Sequence, residues 1–444
     1  MGLLDRIRSA FARTGSRAAT GTGTLSEARR RAGALVGVHA GDSLGATFEF
    51  NPVGPARIPA DELDVTGGGA FGWNAGDATD DTDLTRAVLH AHLVAVEDPD
   101  IDIVRVAADN MATWRARGPR DIGGATSAGL RRYAETGDPR RAGAGQGSAG
   151  NGSLMRTIPT AVFADPADRA RLSREISAVT HDDLTCQAAC VAYNDIVADV
   201  IAGRPVTEAI DKAAALAAGD VFGEEASLCA NCGEPTEPTP NGPVHTTNAS
   251  RYCETWHGDP DEGDDEADPD PAFDAAVEAV AAAVDAGRSL DLAAVADTGQ
   301  FPAGYPYQPG GGHVLHSLAM AVAAAEDPRP FDQVLSDVVQ LGGDADTNGA
   351  IAGGLLGARD GIDAIPERWR DKLQYGSEFV TAAASDPDQW ERLTGDAHTM
   401  FGDSIQAGGQ ALTSTAGMCG APTLEGRRCM NTTTHPSGRC PAHR

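Results

Sequence analysis

From Glu27 onward, apolar residues return every three or four positions, first in "SEARRRAGALVGVHAGDSLGA" and then in "DTDLTRAVLHAHLVAVE". That spacing gives a helix one buried face. The same period predicts helices over 101–117, 121–134, 168–179, 183–203, 206–217, 272–287, 313–325, 330–341, 347–358 and 366–373. Strict alternation of apolar and polar residues, the mark of a half-buried strand, is nearly absent. The fold class expected is therefore all-α, a compact multi-helix bundle whose members bury their stripes against one another.

The period fails in three places. Residues 1–25 end in "TGSRAATGTGT" and read as a flexible tail. Residues 223–270 are rich in Pro, Asp and Cys and divide the helical chain into 26–222 and 271–400, as an insertion within one domain would. Residues 401–417 read as a Gly/Ser/Thr-rich linker to a terminal module at 418–444 that contains "CGAPTLEGRRCMNTTTHPSGRCPAHR".

Six of the eight cysteines lie in the two segments least able to bury a core. The insertion carries Cys229-x2-Cys232 and Cys253-x3-His257, and the terminal module carries Cys419, Cys429 and Cys440-x2-His443. Each is a Cys3His set of the kind that tetrahedral structural zinc takes, and the metal would supply the folding energy these segments lack. His245 and His435 compete as ligands, and loops with free thiols are the plain alternative. Cys186 and Cys190, one helical turn apart, read as small core residues.

The formal net charge is −29, and Lys212 and Lys372 are the only lysines. Such an acidic chain suits concentrated salt, where screening reduces self-repulsion. A halophilic cytoplasm is one expectation, an ordinary acidic cytosolic protein the other. A field of this sign argues against general nucleic-acid binding through phosphates. Asp5, Arg6 and Arg8 stand where a signal peptide needs an apolar run, and no stretch of about 18 apolar residues lacks a charge. A cytoplasmic chain with a monomeric core and no membrane contact is expected.

Three acidic clusters carry candidate chemistry. "HAGDSLGATFEF" holds Asp42 and Glu49; "GDATDDTDL" holds Asp77, Thr79, Asp80, Asp81 and Asp83; "LGGDADTNGAIAGGLLGA" holds Asp344, Asp346 and Thr347. One Thr or Asp suffices to cap a helix, and these clusters offer more. Adjacent side chains on a helix diverge by about 100°, so two such clusters on facing helix ends can grip a pair of hard divalent cations through oxygen. The small residues Ala350, Gly353, Gly354 and Gly357 would let the third helix approach its neighbours closely. A fourth stretch, "RRAGAGQGSAGNGSLMRTIPTAVF", formally matches GxGxxG but follows no apolar strand. Its glycine-rich loop reads either as backbone N–H groups cradling a phosphate or as a flexible surface loop.

Taken together, "GALVGVHAGDSLGATFEF", "ATDDTDLTRAVL", "GNGSLMRTIPTAVF", "VTHDDLTCQAACVAY" and "LGGDADTNGAIAGGLLGARDGIDAIPERW" resemble, in sequence and chain order, the ADP-ribosylglycohydrolase family, which includes the dinitrogenase reductase-activating glycohydrolases. The resemblance covers about residues 26–222 and 270–375. It implies an all-α fold, hydrolysis of the N- or O-glycosidic bond joining ADP-ribose to a protein side chain, and two divalent cations, Mg2+ or Mn2+. Matched motif by motif, Thr79, Asp80 and Asp81 fall on the first metal cluster, and Asp344, Asp346 and Thr347 on the second. Glu49 falls on the acidic position after the first Gly-Asp motif. Gly150, Asn151, Gly152 and Ser153 fall on positions that contact ADP-ribose, and His181 either lines the pocket or sits in the core.

The implied chemistry is delivery of water to the anomeric carbon of the distal ribose as oxocarbenium character develops. The metals would hold the ribose hydroxyls and lower the pKa of the water, with Asp80, Asp81, Asp346 and Glu49 as candidate proton acceptors. The expected partner is an ADP-ribosylated protein. A hydrolase of small ADP-ribose conjugates, or a non-catalytic ADP-ribose-binding adaptor, are the alternatives. The Cys-rich modules and their zinc have no counterpart in the family's catalytic core.

Overall fold

A computed structural model describes residues 25–51, 57–216, 271–307 and 311–384, with a few short strands outside them. The first half of the bundle contains α1 (Glu27–Gly45), α2 (Asp80–Glu97), α3 (Ile103–Ala116), α4 (Gly124–Thr136), α5 (Ile158–Phe163), α6 (Arg169–Ala178), α7 (Leu184–Ile201) and α8 (Val206–Leu216). The second contains α9 (Pro271–Arg288), α10 (Leu292–Thr298), α11 (Val314–Glu326), α12 (Phe331–Gln340), α13 (Ala345–Asp360), α14 (Glu367–Arg370) and α15 (Gly376–Ala383). The all-α expectation holds. Paired strands among the described residues are confined to the Cys-rich segments: antiparallel β1 (Ser227–Leu228), β2 (Pro235–Glu237) and β3 (Val244–His245), and β4 (Gly417–Met418) with β5 (Thr432–Thr433).

The centre of the bundle is the pair α1 and α13, which run antiparallel in backbone contact. α1 is buried without a break from Ala32 to Gly45, and α13 from Ala345 to Ala358. A helix enclosed on every side needs no polar face. Glycines recur every fourth residue along α1, at Gly33, Gly37, Gly41 and Gly45, and a Cβ on any of them would lie 1.9–2.3 Å from the carbonyl oxygen of Gly357, Gly353, Gly349 or Ala345 respectively. The matching stripe on α13 is thus Ala345, Gly349, Gly353 and Gly357. Of the small residues expected to permit close approach, Gly353 and Gly357 face α1, joined by Gly349, a position the sequence reading did not name, while Gly354 faces Ile158 and Tyr193.

Three local departures have simple causes. α4 starts at Gly124, so Asp121 lies in the preceding loop and not on the helix predicted from 121. "SLMRTIPTAVF" forms a 3-10 turn, Leu154–Arg156, and then the separate six-residue α5, because Pro159 lacks the N–H that a continuous helix would use there. α10 went unpredicted, being seven residues long; Asp291 caps it and Gly299 ends it in the left-handed region. α7 is long and apolar enough to cross a membrane, yet 67% of it is buried within the protein.

Candidate active site

The antiparallel zipper brings the C-terminal end of α1 to the N-terminal end of α13. Asp42, on the last turns of α1, then fastens α2 to the same place. Its Oδ2 accepts the N–H groups of Thr79 and Thr82 at 3.1 and 3.2 Å and the Thr82 hydroxyl at 2.5 Å. Asp42 is therefore a positioning residue that fixes the N-terminus of α2. Two acids of the second cluster are also structural: Asp77 accepts from the Asn74 backbone N–H at 2.9 Å, and Asp83 accepts from Trp114 Nε1 at 2.9 Å.

Thr79 caps α2, its Oγ1 accepting from the Asp81 N–H and donating to Asp81 Oδ2, both at 3.3 Å. Across the gap, the Thr347 hydroxyl donates to the same Asp81 Oδ2 at 3.4 Å, so the two predicted triplets meet. Asp344 stands at the N-cap position of α13 but makes no side-chain cap bond. It instead accepts from Asn151 Nδ2 at 2.6 Å. The acceptor density of "GGDADT" thus exceeds what capping consumes.

Glu49, Asp121 and Asp346 bring one carboxylate oxygen each within 4.8 Å of one another. Asp121 was not singled out from the sequence; it lies in the loop just before the Gly123 cap of α4. Asp80 accepts from the Gly123 backbone, and its carboxyl is held well above the usual range by burial and then by Asp121 and Asp42. Asp81 is raised by burial and then by Asp346, Asp80, Asp42 and Asp344. Neighbouring carboxyls on α2 therefore face different partners, as their angular divergence predicts. Burial and the charges of Asp121, Asp344 and Asp42 push Glu49 up to about 8.

This donor set fits divalent cations. For Asp81 and Asp346, every charge that shifts them is another carboxylate, and Asp81 Oδ1 and Glu49 Oε2 are buried without a hydrogen-bond partner. Such a cluster is costly unless protonated or bound to cations, and hard cations take this oxygen chemistry.

Residues 145–153 form one wall. The Gly145 N–H donates to Asp182 at 2.6 Å, that of Gly147 to Asp183 at 2.7 Å, and those of Gly150 and Asn151 to Ser148 and Gly312 carbonyls at 2.9 and 3.0 Å. These four amides are committed within the protein, which removes them from the phosphate cradle expected of the loop. Gly150 also bridges to His313, and Asn151 Nδ2 reaches Ser317 Oγ at 2.9 Å. Beneath the loop, Arg156 donates to the Gly152 carbonyl and, at 2.6 Å, to Thr180 Oγ1. Ser153 Oγ accepts from Ser177 at 2.9 Å. His181 packs against Gly150 and Gly152, paired through Nδ1 to Thr180 at 2.8 Å. Burial, aided by Arg156, lowers its pKa to about 3, so it is a neutral scaffold ring. Cys186 and Cys190 are buried below the same loop.

On the far side of Asp80 and Asp121 opens a cleft of about 390 Å³, walled by Trp73, Trp114, Arg117, Arg120 and Tyr375. The two candidate zinc sets, Cys229, Cys232, Cys253 and His257, and Cys419, Cys429, Cys440 and His443, lie outside the described residues.

An all-α bundle thus gathers buried carboxylates where three helix ends meet, a centre able to hold cations. Residues 24–399 match the sequence profile of ADP-ribosylglycohydrolases, and the chain belongs to that family of enzymes. It is 28% identical over 352 residues to the ADP-ribosyl-[dinitrogen reductase] glycohydrolase of Rhodospirillum rubrum, covering 79% of this chain and 92% of that one. An ADP-ribosylarginine hydrolase of Serratia proteamaculans is 31% identical over 141 residues, 30% of this chain and 36% of its own. A solved chain described as an ADP-ribosylglycohydrolase-related protein complex superposes with a TM-score of 0.56 at 26% identity, covering 83% of this chain and 99% of that one.

Proposed function

We propose that this glycohydrolase releases ADP-ribose from modified arginine side chains of proteins at a binuclear Mg2+ or Mn2+ centre. The observation that carries the reading is the junction of the two triplets, Asp81 Oδ2 to Thr347 Oγ1 at 3.4 Å, inside a cluster where the charges that shift Asp81 are all other carboxylates. Thr79, Asp80 and Asp81 would hold one cation, Asp344, Asp346 and Thr347 the other. Bound cations there would fix ribose hydroxyls and make water more acidic.

The protein's own residues do the rest. Asn151 orients Asp344 and ties it to the loop 150–153, the wall assigned to ADP-ribose. Glu49 lies outside both triplets; cations bound beside it would favour its ionised form, whose unpartnered Oε2 suits it to take the proton of the attacking water as the glycosidic bond breaks. The departing side chain is assigned to the cleft on the strength of the Asp80 and Asp121 carboxylates; its Tyr375 and Trp73 rings already carry Arg86 and Arg120, and Arg117 lines it too. The arginine-linked substrate of the Serratia relative supports this choice of leaving group.

The test compares ADP-ribose release from arginine-linked and serine-linked conjugates with Mg2+ or Mn2+. Faster release from arginine is expected. Release from serine alone refutes the leaving group, and tight ADP-ribose binding with no release from either points to the adaptor. In the same assay, Asp346→Ala is expected to abolish turnover with the fold retained; full activity in that variant removes the two-metal assignment.

A further inference from the structure

Resting on that reading, the geometry points to an aromatic ledge at the rim of the active site that docks a basic, apolar-flanked stretch of the ADP-ribosylated protein. Phe50 follows Glu49 directly. It takes φ +61°, a left-handed conformation that is costly for an aromatic residue, and leaves 65% of itself exposed. Two backbone bonds hold it there: the Phe50 N–H donates to the Gly343 carbonyl at 2.7 Å, and the Gly343 N–H to the Asn51 carbonyl at 3.0 Å. The strained residue is thus locked between Glu49 and Asp344. Glu49 lies inward, 5% exposed, while the Phe50 ring stands outward.

The ring is not alone. Phe71 lies 6.1 Å from Phe50, and Trp73 lies 6.0 Å from Phe71, so a row of three rings runs from the carboxylate cluster to the cleft assigned to the leaving side chain. Ile58, 42% exposed, is bonded through its N–H to Gln340 Oε1 at 2.8 Å, three residues before Gly343 on the same strip of chain. Phe50 and Ile58 are two of the three exposed large hydrophobic residues among those described, and that strip holds both at the same edge of the active site.

The charge around the ledge selects its occupant. Of the acids beside it, Asp64 pairs with Lys372 at 2.6 Å and Asp77 with Arg120 at 3.7 Å, which leaves Asp61 and Glu62 as the carboxylates with no ion pair among the described residues. Asp61 and Glu62 are exposed, and Arg120 already sets its guanidinium 5.2 Å from the Trp73 ring centroid, a contact that further cations on this face would repeat. Aromatic faces rimmed by carboxylates favour a cationic chain with aliphatic side chains over an acidic or a purely polar one. Exposed aromatic anchors of this kind carry much of the energy where proteins dock.

The experiment uses the full chain and two substrates: ADP-ribosyl-arginine as a small conjugate, and a synthetic basic peptide with leucines flanking one ADP-ribosylated arginine. The double variant Phe50→Gly, Phe71→Ala keeps the left-handed turn open to glycine. It is expected to raise KM for the peptide about tenfold and leave the small conjugate within twofold, the usual scale for loss of aromatic anchors. Equal loss on both substrates would mean that Phe50 serves Glu49 and not docking, and no loss on either would mean that nothing docks there; both outcomes overturn the proposal. Anisotropy of the fluorescently labelled peptide with chelator present reads the ledge independently of turnover: weaker binding by the variant supports it, and unchanged binding overturns it. Failure of the wild type to cleave the small conjugate counts against the hydrolase reading instead.

Discussion

Gly41→Ala tests whether the backbone zipper positions the site. The added Cβ would lie 1.9 Å from the Gly349 carbonyl oxygen and 2.3 Å from its carbon, against the 3.4 Å of ordinary contact, a deficit of about 1.5 Å. Both atoms belong to helix backbone, so no side chain can rotate away, and α1 and α13 must part. Overpacking of this kind costs about 1–3 kcal/mol, offset by at most about 1 kcal/mol from the better helix propensity of alanine. Asp42 and Glu49 lie one and eight residues further along the chain, and Asp346 lies three residues before Gly349. A shift of about 1 Å at reacting groups costs about 100-fold in rate. Chemical denaturation should therefore give a modest loss of stability, while turnover of an ADP-ribosylated substrate falls by one to two orders of magnitude, as estimated from that same sensitivity. Gly33→Ala makes a similar clash with the Gly357 carbonyl at 2.2 Å, at the end of the zipper remote from the carboxylates, and should lose stability with a smaller loss of turnover. Gly124→Ala meets no atom within 4 Å and serves as control. Equal activity losses for Gly33→Ala and Gly41→Ala, or wild-type behaviour of Gly41→Ala, would refute the positioning argument.

The metal-free protein should lose stability as pH rises. Glu49 at about 8 and Asp42 at about 7 have folded pKa values above their unfolded ones, so the folded state binds more protons, and the loss runs from about pH 4 to about pH 8. Millimolar Mg2+ or Mn2+ should flatten that profile in thermal melts, and an unchanged profile would mean that no cation enters the cluster. Glu378→Ala removes one partner of buried Arg86, bonded from Nε at 2.9 Å and Nη2 at 2.6 Å, while Asp83 at 3.8 Å and the Tyr375 ring stay beside it, so denaturation should register a loss of about 1–3 kcal/mol. Elemental analysis after gel filtration is expected to find two zinc ions per chain from the Cys3His sets; a zinc-free protein would remove both assignments.

The elements of the fold were legible where burial has a period, and the site only where residue chemistry exceeds what local structure consumes. α7, α8, α9 and α11 were readable within two residues at each end, α8 and α9 from the stripe each buries and α7 and α11 from an apolar run bounded by a capping Asp183 and His313. The α1–α13 pairing was not readable: a helix buried all round has no stripe, and glycines every fourth residue on two segments some 300 residues apart reveal their match only when backbones touch. The triplets were legible as surplus, since Thr79 alone caps α2 while Asp344 caps nothing. Asp42, read in the same cluster as Glu49, proved to be the clamp on α2, because three donors on one oxygen can be counted only in space. Asp121 escaped for the opposite reason. Alone in a loop, it carries no local excess, and it gains meaning only from Glu49 and Asp346, which reach it from other elements. Sequence reading therefore finds carboxylates that break a local rule, and misses those whose only partners are distant.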